Sequence, residues 1–371
     1  MNHLWALSVS HLESKKPGTR SGRGFTLVEL LVAMAVLALM LVMMLKVTDL
    51  TSTTVTRSSA KIDAFAAGRA SFDILNQRLS QARLNTFWDY YNAAGQVRSA
   101  ANAATFVAKN YGRASNLQFV LCPNTVHPYY GQELYFQAPE AYSANSNYQS
   151  TQGLLNGCSY FVRYGSDAAF KPGAVATNRY RYRLMQGMES TENLQIFQTN
   201  AYLTSYTGRP PAWTANINQT NVDTVASPVK PLSDNVIALI VMPLDLDGSI
   251  VVTNAPSNTY NYDSQVNPAP AANGVQGLTA HQLPPRIQVT LVLIDEASAA
   301  RIDTRNNTPP AAIENALAGK FTVPSMDQLK VDLYGTGPSD TTSLVHKLTA
   351  SHINYQILNT SVVLRESKWS K

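Results

Sequence analysis

Few side chains in this sequence stand at the spacing that catalysis or metal binding requires. The segment Asp245–Gly248 alternates carboxylates as a calcium loop does, but the next carboxylate is Asp263, so an Asp-Gly turn is the favoured interpretation. The six histidines show no usual metal-ligand spacing. Gly319-Lys320 lacks the upstream glycine and the following Ser/Thr of a P-loop, and there is no Gly-x-Ser-x-Gly elbow. The sequence therefore predicts no metal, no cofactor and no enzymatic activity.

One acidic residue, Glu29, lies within a long apolar segment, where burying a charge costs free energy. The run Phe25–Leu45 contains 21 residues, and Glu29 is the only charged one. As a helix the run would rise about 31 Å, enough to cross the hydrocarbon core of a bilayer. A carboxylate at that depth costs roughly 2.5–3.5 kcal/mol on insertion scales, so an intramembrane acid indicates a function. The alternative is that Glu29 lies close enough to the interface to reach water.

The charge distribution orients this segment. The chain has 371 residues, 29 Lys+Arg and 24 Asp+Glu, a net charge of +5 and a pI near 9.0. Residues 1–24 contain four basic groups against Glu13, a local charge of +3, which leaves 25 basic and 23 acidic groups for the rest. The positive-inside rule places residues 1–24 in the cytoplasm and exports the remainder. Because no later segment forms a basic stripe, nucleic acid is not an expected partner.

The apolar run has two other interpretations. A secretory signal peptide has an apolar core of 7–15 residues and a small-x-small cleavage site. This run is longer, and Val47-Thr48-Asp49 offers no such site. A buried helix of a soluble protein is the other alternative, against which Leu30–Leu45 is apolar on every face and the whole run Phe25–Leu45 is long enough to span a bilayer. Membrane insertion is the favoured interpretation, with membrane lipid as a partner.

The residues around Glu29 narrow the class of protein. The segment Arg23–Glu29 resembles the type IV prepilin signature, in which a dedicated peptidase cuts after the glycine and methylates the new N-terminus. The resemblance implies cleavage after Gly24, methylation of Phe25, and Glu29 as the fifth residue of the mature chain, where it serves filament assembly. It also implies a prepilin peptidase and other pilins or pseudopilins as partners. The α-amine created by cleavage would be a natural counter-ion for a neighbour's Glu29 carboxylate.

The pattern beyond the membrane segment stays helical and then changes. No proline occurs between Phe25 and Asn92, and apolar residues recur largely at spacings of three, four or their sums. One helix over about 25–84 is expected, the shape that the pilin resemblance also implies. A membrane anchor followed by a separate soluble helix is the alternative. The predicted organisation is a leader at 1–24, a transmembrane helix at 25–45, an amphipathic stalk at 46–92 and an exported head at 93–371.

The head is predicted to be α+β, with the long N-terminal helix packed on an antiparallel sheet. Short apolar runs between turn residues predict strands at Leu117–Leu121, Tyr160–Tyr164, Tyr180–Leu184, Val236–Met242, Ile250–Thr253, Ile287–Ile294 and Tyr355–Leu364. Helical patterns occur at Asp295–Ile302, Ala311–Leu317 and Ser343–Ala350. Seven tyrosines between residues 129 and 164 suit half-buried strands better than an aromatic binding surface.

Parts of the head and stalk also resemble narrower families. Leu232–Val241, Leu283–Leu291 and the helix Phe72–Ala82 are similar to the J-type minor pseudopilins of type II secretion. The whole chain, particularly its ending at Asn354–Trp369, resembles the pilin-like proteins called Verru_Chthon cassette protein C. At 347 residues after cleavage, the mature chain is larger than ordinary J-type pseudopilins.

The two cysteines, Cys122 and Cys158, are the only candidates for a covalent link. An oxidising compartment outside the cytoplasm would favour a disulfide, which would stabilise the head by roughly 3–4 kcal/mol in the chain-entropy model. Two buried free thiols are the alternative, since sequence does not show whether the two Cα atoms approach each other.

The sequence as a whole predicts a minor pilin or pseudopilin of a type IV pilus or a type II secretion-like filament. It would be a single-pass protein of the cytoplasmic membrane with its head outside. The alternative is a membrane-anchored adhesin or ligand-binding module that uses the pilin-type signal only for export.

Overall fold

The computed structural model describes residues 26–148, 150–198, 210–222, 224, 226–251, 260–266, 270 and 274–369, without the side chains of residues 57 and 60–64. Within it the chain divides into two compact units, Met1–Ser58 and Ser59–Lys371. Helix α1, Leu27–Leu79, contributes residues to both.

Helix α1 contains 53 residues, and its two parts differ in burial. Every described side chain of the first unit is exposed. In the second unit α1 buries a stripe at helical spacing, in which Phe72, Leu75 and Leu79 are at most 6% exposed. The helix ends five residues before the predicted limit, and the chain enters a strand soon afterwards.

Eleven strands lie within the described part of the head. They are β1 Phe87–Tyr91, β2 Asn110–Ala114, β3 Val120–Pro123, β4 Gln132–Ala138, β5 Asn156–Ser166, β6 Tyr180–Glu189, β7 Val229–Asp234, β8 Val236–Leu244, β9 Tyr262–Asp263, β10 Arg286–Ile294 and β11 Tyr355–Val363. They form a six-stranded sheet of order β7-β6-β5-β4-β3-β9, a three-stranded sheet of order β11-β10-β8 and the ribbon β1-β2. Every neighbouring pair is antiparallel.

The core lies where α1 and the two larger sheets meet. Strand β8 is buried along its whole length and reads as a continuous apolar run, as expected of a strand covered on both faces. Helix α1 approaches the three-stranded sheet closely at Gly68, where an added Cβ would overlap Cδ2 of Leu293. The two larger sheets meet at Gly131, which has a φ of 97° and bridges Leu239. Only glycine fits there, since a Cβ would overlap the Leu239 carbonyl oxygen.

Five short helices complete the described head: α2 Gln195–Gln198, α3 Glu296–Arg301, α4 Ala311–Leu317, α5 Met326–Tyr334 and α6 Leu344–Ala350. Three of them begin at a polar N-cap. Asp295, Ser325 and Ser343 accept hydrogen bonds from the backbone N–H groups three residues further on.

The predicted α+β class is confirmed, and so are most of the predicted elements. Strands β5, β6, β8, β10 and β11 overlap their predictions, and α3, α4 and α6 match theirs within two residues at each end. The prediction at Leu117–Leu121 is shifted, since β3 begins at Val120. Ile250 forms only an isolated bridge to Leu244, and residues 252 and 253 lie outside the described residues. The domain boundaries at 24, 45 and 92 stay predictions.

Of the two alternatives for the cysteines, the structure has the second: Cys122 and Cys158 are free and fully buried. Cys122 on β3 lies opposite Glu133 of β4, and Cys158 on β5 lies opposite Phe136 of the same strand. Since Glu133 and Phe136 are three residues apart, the two thiols stand on opposite faces of the sheet. Their strands flank β4 and are roughly 9.5 Å apart, beyond the limit of about 7 Å for a disulfide.

Candidate functional site

The described chain begins at the candidate site, in the first turn of α1. Thr26 donates its backbone N–H and its hydroxyl to Glu29 Oε2, at 3.0 and 3.1 Å. In return, the backbone N–H of Glu29 donates to Thr26 Oγ1 at 3.3 Å. This reciprocal pair is a capping box, which satisfies N–H groups that have no partner within a helix. The sequence spacing Thr-x-x-Glu could have identified it.

The two contacts to Thr26 leave part of the Glu29 carboxylate available. Both use Oε2, and Oε1 has no hydrogen-bond partner among the described residues. Gly24 and Phe25, the predicted cleavage and methylation positions, lie outside the described residues. The carboxylate can therefore accept a further donor while it caps its own helix.

The surface around Glu29 is apolar. From Leu27 to Val55 the large apolar side chains of α1 are 49–81% exposed. The stretch Leu27–Thr56, 30 residues, is long and apolar enough to cross a membrane. An exposed apolar surface of this extent in water would be unfavourable, so it indicates a lipid or protein environment.

The threonines that follow the apolar run are compatible with an apolar environment. Their hydroxyls donate to carbonyl oxygens one turn earlier in the same helix, so they need no partner elsewhere. The bonds run from Thr48 to Met44, from Thr51 to Val47, from Thr54 to Leu50 and from Thr56 to Ser52, at 2.7–2.9 Å.

Comparison with known families identifies one motif. Residues 19–45 match the family model described as the prokaryotic N-terminal methylation motif. The motif supports a type IV pilin-like or pseudopilin-like protein and implies processing by a prepilin peptidase and pilin assembly. It suggests a structural, non-enzymatic protein, and together with the apolar helix it is consistent with a membrane-anchored single-pass protein. No curated protein matches the chain.

The three arginines of β6 and the turn before it are engaged within the head. Arg181 Nη1 lies 2.6 Å from Asp303 and Arg183 Nε lies 2.7 Å from Asp234, and both arginines are at most 5% exposed. Arg179 pairs with a further acid at 3.4 Å. Because each cation has an internal carboxylate partner, the triplet cross-links strands and loops of the head.

Asp245 acts as a turn former. Its Oδ1 accepts the N–H groups of Asp247 and Ser249, both at 2.9 Å, and Gly248 has a φ of 89°. This is the Asp-Gly turn that the sequence favoured. Among the described residues, no group of three or more His, Cys, Asp or Glu side chains could hold a metal ion.

The tyrosines divide between core and surface. Tyr130, Tyr135, Tyr160 and Tyr164 are at most 7% exposed, whereas Tyr129, Tyr142 and Tyr148 are 38–51% exposed. Tyr135, Tyr160 and Tyr164 are buried strand residues of β4 and β5, and Tyr130 is buried in a single 3-10 turn at residues 128–130, so all four belong to the core.

A buried network around His281 was missed by sequence reasoning. The two ring nitrogens of His281 lie 3.1 Å from the Tyr91 hydroxyl and 3.1 Å from the Ser115 hydroxyl. Burial, with the nearby Arg113 cation, lowers the pKa of His281 to about 4. The network ties the β1-β2 ribbon to the segment before β10. No local signal could have found it, since its members are 166 and 190 residues apart in sequence.

Proposed function

We propose that this protein is a minor pilin or pseudopilin, processed after Gly24 and assembled into a type IV pilus or a type II secretion-like filament through its N-terminal helix. One observation carries the proposal. The Glu29 carboxylate, inside the methylation motif, retains a free oxygen among described residues on a helix whose surface is apolar and exposed.

The chemistry at the site follows from charge pairing. Cleavage before Phe25 releases an α-amine, and N-methylation leaves it cationic. Thr26 already occupies Oε2, so Oε1 of Glu29 is available to the amine of a neighbouring subunit. In an apolar helix bundle the two charges stabilise each other, whereas either alone would be costly.

The same proposal orients the chain. The basic leader stays in the cytoplasm, α1 crosses the cytoplasmic membrane before assembly, and the head is outside. The size of the head, which begins near residue 93, favours a tip position or a low-abundance subunit, because a bulky domain at every helical position would crowd. The J-type pseudopilins and the Verru_Chthon cassette protein C group are the narrower assignments that the sequence resemblance supports.

Crosslinking from the helix surface tests assembly. A photo-reactive residue in place of Leu37, which is 61% exposed, should crosslink to the N-terminal helix of another protein with the methylation motif. The matched control replaces Tyr334, 58% exposed on α5 of the head. Glu29→Ala should abolish the Leu37 crosslink while membrane insertion persists. An unchanged crosslink in Glu29→Ala, or adducts with lipid alone, would contradict the proposal.

An anchored ligand-binding module is the second candidate, and one observation favours it. An open cavity of about 720 Å³ lies beside the β6-β7 edge, lined by polar groups that include Glu189, Asn193, Asn216 and Lys230. Its volume falls within the range of small-ligand sites. If ligand binding were the main function, cells that need this protein would show the same phenotype with Glu29→Ala as with the native chain.

A further inference from the structure

Strand β11 is the outer strand of the three-stranded sheet and pairs only with β10. Leu364 N–H donates to Pro285 O at 3.1 Å, just beyond one end of the ladder. Asp295 N–H donates to Asn354 O at 3.2 Å, just beyond the other. In an antiparallel pair, alternate residues direct their N–H and C=O groups to the neighbouring strand. These two bonds involve residues 354 and 364, so the even-numbered residues of β11 bond to β10.

The odd-numbered residues of β11 therefore direct their N–H and C=O groups away from β10. They are Tyr355, Ile357, Asn359, Ser361 and Val363. Within the part of the chain that the structure describes, these backbone groups have no hydrogen-bond partner. Asn359, Ser361 and Val363 are also exposed, Val363 by 61%.

This edge lacks the features that normally prevent strand pairing. Tyr355–Val363 contains no charge, no proline and no glycine, and its register with β10 is unbroken. The other edges of the two larger sheets are protected. Strand β7 contains Lys230 and Pro231, β9 has only two residues, and β8 is covered where Gln132 accepts the Val241 N–H.

We infer that β11 pairs in antiparallel orientation with β11 of a second copy of this chain. The five outward residues are centred on Asn359. A two-fold axis there places Asn359 opposite its copy, Ile357 opposite Ser361 and Tyr355 opposite Val363. Every outward N–H and C=O then finds a partner. Because the strand is uncharged, self-pairing brings no like charges together.

The contact is expected to be weak by itself. One strand pair buries much less than the roughly 1,200 Å² of a stable dimer interface, so a trap is needed to detect it. Two chains held in one membrane would raise the effective concentration and favour pairing. The inference does not depend on processing or filament assembly, and it concerns the head alone.

Cysteine trapping in the full-length chain tests the pairing. In Asn359→Cys the two introduced residues would have Cα atoms about 5.5 Å apart, within disulfide range. Cys122 and Cys158 are fully buried and will not compete. Ser361→Cys is the matched control, because its copy would be roughly 14 Å away along the strand. Mixing Ser361→Cys with Ile357→Cys chains should restore a disulfide-linked dimer.

A proline variant separates edge pairing from folding. Ser361→Pro removes an outward N–H and leaves the ladder to β10 intact, as proline on an edge strand can. Added to Asn359→Cys, it should abolish the dimer without lowering the melting temperature. The inference is overturned if Asn359→Cys gives no dimer or no more than Ser361→Cys alone. It is also overturned if Ser361→Pro has no effect, or if the Asn359→Cys chain is trapped with a different protein.

Discussion

Glu29 has one role that the structure shows and a second that we propose. Its Oε2 caps α1 with Thr26, and its Oε1 would accept the amine of a neighbouring subunit. The two roles differ chemically, since a cap needs only an acceptor and charge pairing needs an anion. Substitutions at Glu29 and Thr26 can therefore distinguish a structural from an assembly function.

Glu29→Gln should block assembly even though it preserves the cap. The amide oxygen can still accept from the Thr26 N–H, but the counter-charge for the α-amine is lost. Thr26→Val should have the opposite effect, with assembly kept and the first turn of α1 weakened. Co-purification with partner pilins and a membrane-insertion assay measure both. A Glu29→Gln protein that assembles like the native one would show that the cap is the main role.

His281 should make the head sensitive to acid. Its pKa falls to about 4 in the fold against roughly 6.5 when unfolded, so the unfolded state binds the proton first as the pH falls. Stability is therefore full above pH 6.5 and is lost between pH 6.5 and 4, by on the order of 3 kcal/mol. Chemical denaturation at pH 7 and pH 4.5 measures this loss.

A control variant isolates the contribution of His281. His281→Asn suits the position, whose φ is 52°, and removes the titrating ring. Burial raises the pKa of Asp263 to about 6, so Asp263 acts in the opposite direction over the same range. The comparison with His281→Asn cancels that effect. Equal pH dependence in the two proteins would contradict the assignment.

At the scale of elements, α1 can pack closely on β10 because Gly68 has no side chain. On an exposed helix, Gly→Ala normally stabilises by about 1 kcal/mol. At Gly68 the new methyl group would overlap Leu293, which is 2% exposed and has little room to turn. We therefore expect Gly68→Ala to destabilise the head by about 1–3 kcal/mol.

Two further variants test this contact. Gly68→Ala combined with Leu293→Ala should lose less stability than the two single losses summed, since the second change makes room for the first. Gly173→Ala, at a position with open space around it, should be neutral. Denaturant unfolding measures all of them, and a stabilising Gly68→Ala would contradict the close packing.

The two cysteines give a direct test of the sheet topology. On opposite faces of the six-stranded sheet and fully buried, both thiols should resist a thiol reagent in the folded chain. Both should react after unfolding without reductant. If neither reacted after unfolding, the thiols would be bridged and the strand register would be incorrect.

The elements that sequence predicted are those with a local signal. Helix α4 was predicted at its observed bounds, and β10 differs by one residue. Strand β4 was missed although all seven of its residues are buried, because Gln132 and Glu133 give it a polar sequence. The buried Glu133 is held by Thr125 and Tyr135. Such burial depends on partners that the sequence does not reveal.

The candidate site is proposed from a local sequence resemblance, for a related reason. Gly24, Phe25 and Glu29 lie within six residues, so one short motif can contain them all, and their roles in cleavage, methylation and assembly stay predictions. The His281 network and the contact of Gly68 with Leu293 join distant parts of the chain, and no periodicity encodes them. The sequence left the state of Cys122 and Cys158 open for the same reason, since deciding it needs the faces of two strands.

For the whole molecule, the net charge is unevenly distributed along the chain. More than half of the net charge of +5 lies in the first 24 residues, which removal of the leader would eliminate. The remaining chain has 25 basic and 23 acidic groups, and the three arginines around β6 pair within the head. The basic pI therefore comes mainly from the first 24 residues, which the proposed processing would remove.

Mass spectrometry of the mature N-terminus tests the central claim most directly. The protein should be isolated from membranes of cells with an active prepilin peptidase, beside a Gly24→Val variant that the peptidase should not cut. The account predicts a chain that begins with N-methylated Phe25 and contains 347 residues, and a variant that retains its leader. An intact Met1 in the native protein, or a cut near residue 46, would contradict it.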